Sequence, residues 1–242
     1  MKTIVVKNYD EMSARATEIF AQVISAKPNC VMGLATGETP IGLYDGLAAL
    51  CEKGTLDFSN VTTVNLDEYY PITPDNDQSY RYFMNLHLFD KINIDKANTF
   101  VPDGTATDPD SFCDAYSKRI EEIGIDIQIL GIGRNGHIGF NEPSADGLIA
   151  KTHLTALTES TIEANSRFFA SADEVPKHAI TMGIGDVFKA KKIVILASGT
   201  EKADAVKKML EGTINSMCPA SVLCLHPDVT LICDEAAYSL VK

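Results

Sequence analysis

Short runs of β-branched and other apolar residues recur along the chain. Between them, apolar positions return every three or four residues. The runs are TIVV (3–6), CVMGLA (30–35), VTTVNL (61–66), IDIQILG (125–131), HAITMG (178–183), KIVILA (192–197) and VTLIC (229–233). Runs of this length and composition predict strands, and the intervening 3.6-residue period predicts amphipathic helices. After the first run Met12, Ala16, Ile19, Phe20 and Val23 share one helical face. Before the fourth, Phe112, Tyr116, Ile120 and Ile123 do the same, with Gly124 placed as a stop. A strand such as IVILA, apolar throughout, is buried on both faces, as in a parallel sheet covered by helices. No linker, repeat or low-complexity segment divides the series. The pattern predicts α/β architecture: a single doubly wound, Rossmann-like domain over residues 1–242, its mostly parallel central sheet of about seven strands.

Composition narrows the partners. The 242 residues are 45% hydrophobic and 22% charged, enough for one large core, and the formal net charge is −12. That charge argues against nucleic acid and against an anionic membrane surface. An anionic ligand would have to be drawn in by a few local groups. No apolar stretch approaches the ~20 residues that span a bilayer, and MKTIVVKNYD has no signal-peptide core. The six cysteines are scattered without C-x-x-C, which predicts free thiols in a reducing cytoplasm. The five histidines form no H-x-x-x-H pair and no zinc-spaced Cys/His set, so no metal is expected.

In this fold class ligands bind beyond the carboxyl ends of strands, so the residues after each run matter most. After CVMGLA comes TGETP. Gly37 frees the backbone to curl, Thr39 is a candidate N-cap and Pro40 a candidate first helical residue. Such a turn is an anion site by virtue of its unpaired amides and the helix dipole, or else a tight turn with an ordinary cap. Glu38 is awkward there unless its side chain points away. After KIVILA the device repeats in SGTEK, with Thr200 the candidate cap. Lys202 in the first turn opposes the dipole, which calls for a functional reason such as a phosphate. Asp67 is the first residue after VTTVNL, where a turn or helix cap is the ordinary use of a carboxylate.

After IDIQILG comes GIGRNGHIGFNEP. Gly131 and Gly133 allow close turns, and His137 and Glu142 offer a near-neutral titrating group beside a carboxylate. Arg167, one of five arginines, stands in NSRFF, where a solvated surface role is the alternative. The chain has no G-x-G-x-x-G, no Walker loop and no G-x-S-x-G elbow. What remains is acid–base work on a phosphorylated small molecule, without a cofactor.

The segments LATGETPIGLY, NLDEYYP, QSYRYFMNLHLFD, GIGRNGHIGFNEP, NSRFFA, LASGTEKADAV and LHPDVTLICDEA resemble, in order, those of the glucosamine-6-phosphate deaminase family (glucosamine/galactosamine-6-phosphate isomerases). The likeness runs from about residue 30 onward, and GHIGFNEP and DEY are its specific elements. It implies conversion of D-glucosamine 6-phosphate and water to D-fructose 6-phosphate and ammonia in amino-sugar catabolism, by an isomerase/hydrolase in the cytoplasm. By the same resemblance His137 helps open the sugar ring, supported by Glu142. Asp67 takes the proton from carbon 2 and returns it to carbon 1. The phosphate and substrate fall to Thr36, Gly37, Glu38, Thr39, Gly133, Gly136, Arg167 and Lys202, and a segment of about residues 145–170 acts as a lid.

Two departures from the family pattern stand out. Asn135 occupies a catalytic position where many members carry aspartate in a carboxylate–histidine relay. An amide can fix an imidazole by a hydrogen bond but cannot stabilise its cation by charge. His137 is then expected to be less basic unless Glu142 takes over. Hexameric members also bind an acetylated sugar phosphate through basic residues shortly after NEP. His153 and Thr155 align best with those here, and the chain ends sooner. The expectation is a non-allosteric enzyme, a monomer or small homo-oligomer. The competing readings on the same scaffold are a 6-phosphogluconolactonase-type hydrolase and a non-catalytic sugar-phosphate sensor.

Overall fold

The computed structural model describes residues 1–166, 169, 171 and 174–241. Its strands are β1 (Lys2–Val6), β2 (Val31–Leu34), β3 (Thr62–Asn65), β4 (Asp67–Tyr70), β5 (Thr99–Phe100), β6 (Ile127–Gly131), β7 (His153–Ala156), β8 (His178–Thr181), β9 (Ile193–Ala197) and β10 (Val229–Asp234). Its α-helices are α1 (Tyr9–Ala26), α2 (Ile41–Glu52), α3 (Tyr80–Met84), α4 (Pro109–Ile123), α5 (Glu159–Ser166), α6 (Ile184–Val187), α7 (Ala203–Leu210) and α8 (Glu235–Tyr238). Among the described residues no helix is long and apolar enough to cross a membrane.

Seven strands form one parallel sheet in the order β1-β10-β9-β6-β2-β3-β5. Every residue of β9 and β10 is buried, as the unbroken apolar character of β9 requires. From β2 the chain moves toward one edge of the sheet, and from β6 it moves toward the other. The crevice between these neighbours is the switch point at which such sheets hold ligands.

One strand expected in this sheet lies elsewhere. HAITMG supplies β8, the middle strand of a second, antiparallel sheet in the order β4-β8-β7. The seventh place in the main sheet belongs to β5, whose two residues are too few to leave a hydrophobic run. Asp67 likewise does more than end a strand. After a one-residue break at Leu66 it opens β4, opposite Thr181 of β8. The small sheet is tied to the large one where the Met182 N–H donates to the carbonyl of Leu66 at 2.7 Å.

The helices sit where their periodicity predicts. Asn8 caps α1 by accepting from the N–H of Glu11, whose own carboxylate accepts from Lys7. Met12, Ala16, Phe20 and Ile24 are buried along its inner face, and each of the larger ones contributes roughly 2 kcal/mol. Gly42 and Gly46 let α2 press against it. A Cβ at either would lie 2.3 Å from Ser13 Oγ or 2.4 Å from Thr17 Oγ1. This close packing fixes the start of α2 behind the end of β2. Helix α4 starts at the Asp108 cap with Pro109 first and stops at Gly124, whose φ is +64°.

Candidate active site

The loop after β2 is held in place from behind by two tyrosines. The Tyr9 hydroxyl donates to the carbonyl of Glu38 at 3.1 Å and accepts from the N–H of Gly42 at 2.9 Å. The buried Tyr44 hydroxyl donates to the carbonyl of Ala35 at 2.5 Å. Gly37 has φ +94°, a conformation that favours glycine. The cap is not Thr39: α2 begins at Ile41, with Pro40 as the flanking residue and no side-chain cap. The amides of Thr36, Gly37 and Thr39 carry no hydrogen bond among the described residues. An anion could therefore use them. Tyr9→Phe should raise the KM for a phosphorylated substrate several-fold with kcat little changed, because the loop loses a hydroxyl bridge of about 1 kcal/mol.

The second candidate anion loop differs from expectation in its cap and in its amides. Gly199, at φ +90°, precedes a short 3-10 turn over Thr200–Lys202, and Lys202 itself flanks α7. Thr200 is not the cap. The N–H of Gly199 is already taken by Asp234 at the end of β10, at 3.0 and 3.1 Å to its two oxygens, and Ser198 donates to the same carboxylate. What this turn offers a ligand is the half-buried ammonium of Lys202. Burial pushes its pKa down, against a smaller opposing pull from Glu201. Among the described residues it has no ion pair.

GIGRNGHIGFNEP folds back on itself after β6. The N–H of Gly133 donates to the carbonyl of His137, and the N–H of Gly136 to that of Gly133, both at 2.9 Å. Gly133 is also what the imidazole rests on. A Cβ there would lie 2.4 Å from both Cδ2 and Nε2 of His137. Nδ1 of His137 lies 3.2 Å from Oε1 of Glu142. The approach is close but too bent for a well-formed hydrogen bond, and this buried nitrogen has no other partner among the described residues.

Asn135 does not touch the ring. Its Nδ2 donates to Oε2 of Glu142 at 2.7 Å, and its Oδ1 accepts from the backbone N–H of His137 at 3.1 Å. The expectation that the amide fixes the imidazole is corrected: it fixes the glutamate that faces the imidazole. Burial alone would raise the Glu142 pKa. Contacts to His137, Asn135 and Thr161 outweigh it and hold the carboxyl below its usual range.

Asp67 meets this loop at Gly139, whose φ is +57°. A Cβ on that glycine would stand 3.2 Å from Oδ2 of Asp67 and 3.0 Å from Oγ1 of Thr181. Thr181 in turn accepts from the N–H of Phe140 at 3.2 Å, and Asn141 bridges to the carbonyl of Met182 at 2.8 Å. Asp67 is 6% exposed and has no hydrogen-bond donor among the described residues. Burial, then the neighbouring Glu68, pushes its pKa up to about 8. Glu68 points elsewhere and accepts from the N–H groups of Tyr69, Tyr80 and Arg81. Burial still lifts it to about 7.

The structure thus brings the Thr36–Thr39 loop, Asp67, the Gly133–Glu142 loop and Lys202 to one end of adjacent strands. Arg167 lies outside the described residues. His153 and Thr155 fall on β7, where Nδ1 of His153 meets the carbonyl of Lys151 at 2.9 Å. The segment 145–170 contains β7 and α5, and Ile149 and Ala150 are bonded to α6. Sequence reasoning missed Thr181, Asn141 and Thr161. Thr181 was hidden by assigning its strand to the wrong sheet. Thr158-x-x-Thr161 ahead of α5 was a legible capping pattern.

The model of the glucosamine-6-phosphate isomerases/6-phosphogluconolactonase family matches residues 7–232. The glucosamine-6-phosphate deaminase of Clostridium perfringens is 56% identical over 243 residues, covering 100% of both chains. A solved structure described as a monomeric glucosamine-6-phosphate deaminase is 47% identical, with a TM-score of 0.95, covering 99% of this chain and 100% of its own. The 6-phosphogluconolactonase of Trypanosoma cruzi shares the fold, with a TM-score of 0.77 at 19% identity over 100% of this chain and 97% of its own.

Proposed function

We propose that this chain, which belongs to the family of glucosamine-6-phosphate isomerases and 6-phosphogluconolactonases, converts D-glucosamine 6-phosphate and water to D-fructose 6-phosphate and ammonia. The observation that carries the reading is a pair of unlike acid–base groups at one crevice. One is a buried carboxylate without a donor among the described residues, Asp67. The other is an imidazole backed by a carboxylate, His137 with Glu142, and Gly139 joins their loops.

The phosphate sits against the free amides of Thr36, Gly37 and Thr39 and the Lys202 ammonium, beside the backbone of Gly133 and Gly136. Glu38 contributes its carbonyl to the Tyr9 bridge that shapes the loop. Nε2 of His137 takes the proton of the anomeric hydroxyl and delivers it to the ring oxygen, opening the ring to the aldehyde. Glu142 faces Nδ1 and stabilises the transient imidazolium, and Asn135 holds Glu142 at the angle this requires. Asp67 then removes the proton from carbon 2, and the resulting amino-enol is protonated at carbon 1. Water replaces the nitrogen at carbon 2 and ammonia leaves. A lactonase would have no use for a second base at Asp67.

The same reading makes the enzyme a cytoplasmic monomer or small homo-oligomer without allosteric activation. The free state of all six cysteines supports the compartment. One assay tests it: ammonia and fructose 6-phosphate are followed together, with and without N-acetylglucosamine 6-phosphate. The two products should appear in equal amounts along a hyperbolic curve that the acetylated sugar leaves unchanged. Absence of ammonia would overturn the activity. A sigmoidal curve straightened by the acetylated sugar would overturn the lack of allostery.

A further inference from the structure

Glu142 has a third partner, which comes from a distant element. Thr161, in the first turn of α5, donates from Oγ1 to Oε1 of Glu142 at 3.2 Å. That oxygen is the one facing Nδ1 of His137. Thr158, which precedes α5, accepts from the N–H of Thr161 at 3.2 Å and lies 2.9 Å from its hydroxyl. The Thr161 hydroxyl has one proton, and the bond to the carboxylate uses it.

We propose that Thr161 is a positioning residue for ring opening, acting through Glu142, whose Oε1 it holds toward His137. The inference rests on the activity proposed above. Among the described residues Glu142 is otherwise hydrogen-bonded only from within its own loop, by Asn135 at Oε2. With Oε2 fixed alone, the carboxylate could still rotate about that anchor. The Thr161 bond to the other oxygen removes this freedom. Thr161 is half-buried and on the surface of a short helix, so its hydroxyl can be removed without opening the core.

The test compares Thr161→Val, which keeps the shape, with Thr161→Ser, which keeps the hydroxyl. Two readouts are taken: steady-state kinetics on glucosamine 6-phosphate, and titration of the Glu142 carboxyl by 13C NMR in the free enzyme. Thr161→Val should lower kcat roughly tenfold with KM within about twofold, the loss of one bond to a charged acceptor. Its Glu142 should titrate at higher pH than in the wild type. Thr161→Ser should restore both. Wild-type titration and kcat in Thr161→Val would overturn the proposal, as would equal losses in the two variants. If the wild type released no ammonia, the activity would fall by that result alone. The NMR titration would still decide whether Thr161 holds Glu142.

Discussion

Asp67→Asn is expected to lower kcat by roughly a thousandfold or more while the protein folds as before. Asparagine has the same shape but cannot take the carbon-2 proton. The side chain is buried at the start of β4, with no donor on its carboxylate among the described residues, so an amide loses none of the described bonds by replacing it. The fold should even gain. Asp67 has its folded-state pKa raised from 3.8 to about 8. Its protonated form is the one the fold prefers. The stability it contributes is complete below its unfolded pKa and is lost as pH rises through about 8. At pH 8 the Tm of Asp67→Asn should therefore equal or exceed that of the wild type. Turnover by this variant within tenfold of wild type would remove Asp67 from the mechanism.

The same shift sets a pH signature. The proton acceptor must be ionised, so kcat/KM should fall as pH drops below about 8, far above an ordinary carboxylate limb. The substrate's ammonium group, bound beside Asp67, favours the ionised form, so the corresponding limb of kcat should lie lower. Glu68 raises the Asp67 pKa by its like charge, and Glu68→Gln should move the kcat/KM limb down. An unmoved limb in that variant would mean burial acts alone.

Periodicity made the large sheet legible because its inner strands β2, β6, β9 and β10 are buried on both faces and leave mostly apolar runs. It could not separate β8 from that sheet, since HAIT is also buried along three of its four residues. What distinguishes the two is pairing partner, a non-local property. Strand β5 failed for the opposite reason: a two-residue edge strand has no period. At the site, residue types and loop positions were readable, because strand ends and glycines mark them. The hydrogen-bond assignments were not. Asn135 was two residues from His137 and seven from Glu142. Sequence distance favoured the first, and the folded loop gives the side-chain amide to the second. The cap assignments at Thr39 and Thr200 failed because both turns begin their helices later than composition suggests. In the second turn, Asp234 takes the role from another strand.

Gly133→Ala should cost nearly as much activity as deleting the imidazole, roughly a hundredfold in kcat or more. Gly133 does not have the positive φ that would strain an alanine backbone. The whole effect would come from contact, because the new methyl would stand 2.4 to 2.5 Å from three atoms of the His137 ring. The ring must swing off the glycine and away from its alignment with Glu142. Gly131, two residues earlier at the end of β6, is different: a methyl added there would meet nothing within 4 Å, so Gly131→Ala should keep full activity. The two substitutions add the same group to the same loop and differ only in what it meets. A double-mutant cycle makes the attribution specific: once His137 is alanine, adding Gly133→Ala should cost little more. If Gly133→Ala alone kept kcat within twofold of wild type, the ring's seat on this glycine would have no part in ring opening. If it added its full loss on top of His137→Ala, the damage would lie in the loop rather than in the imidazole.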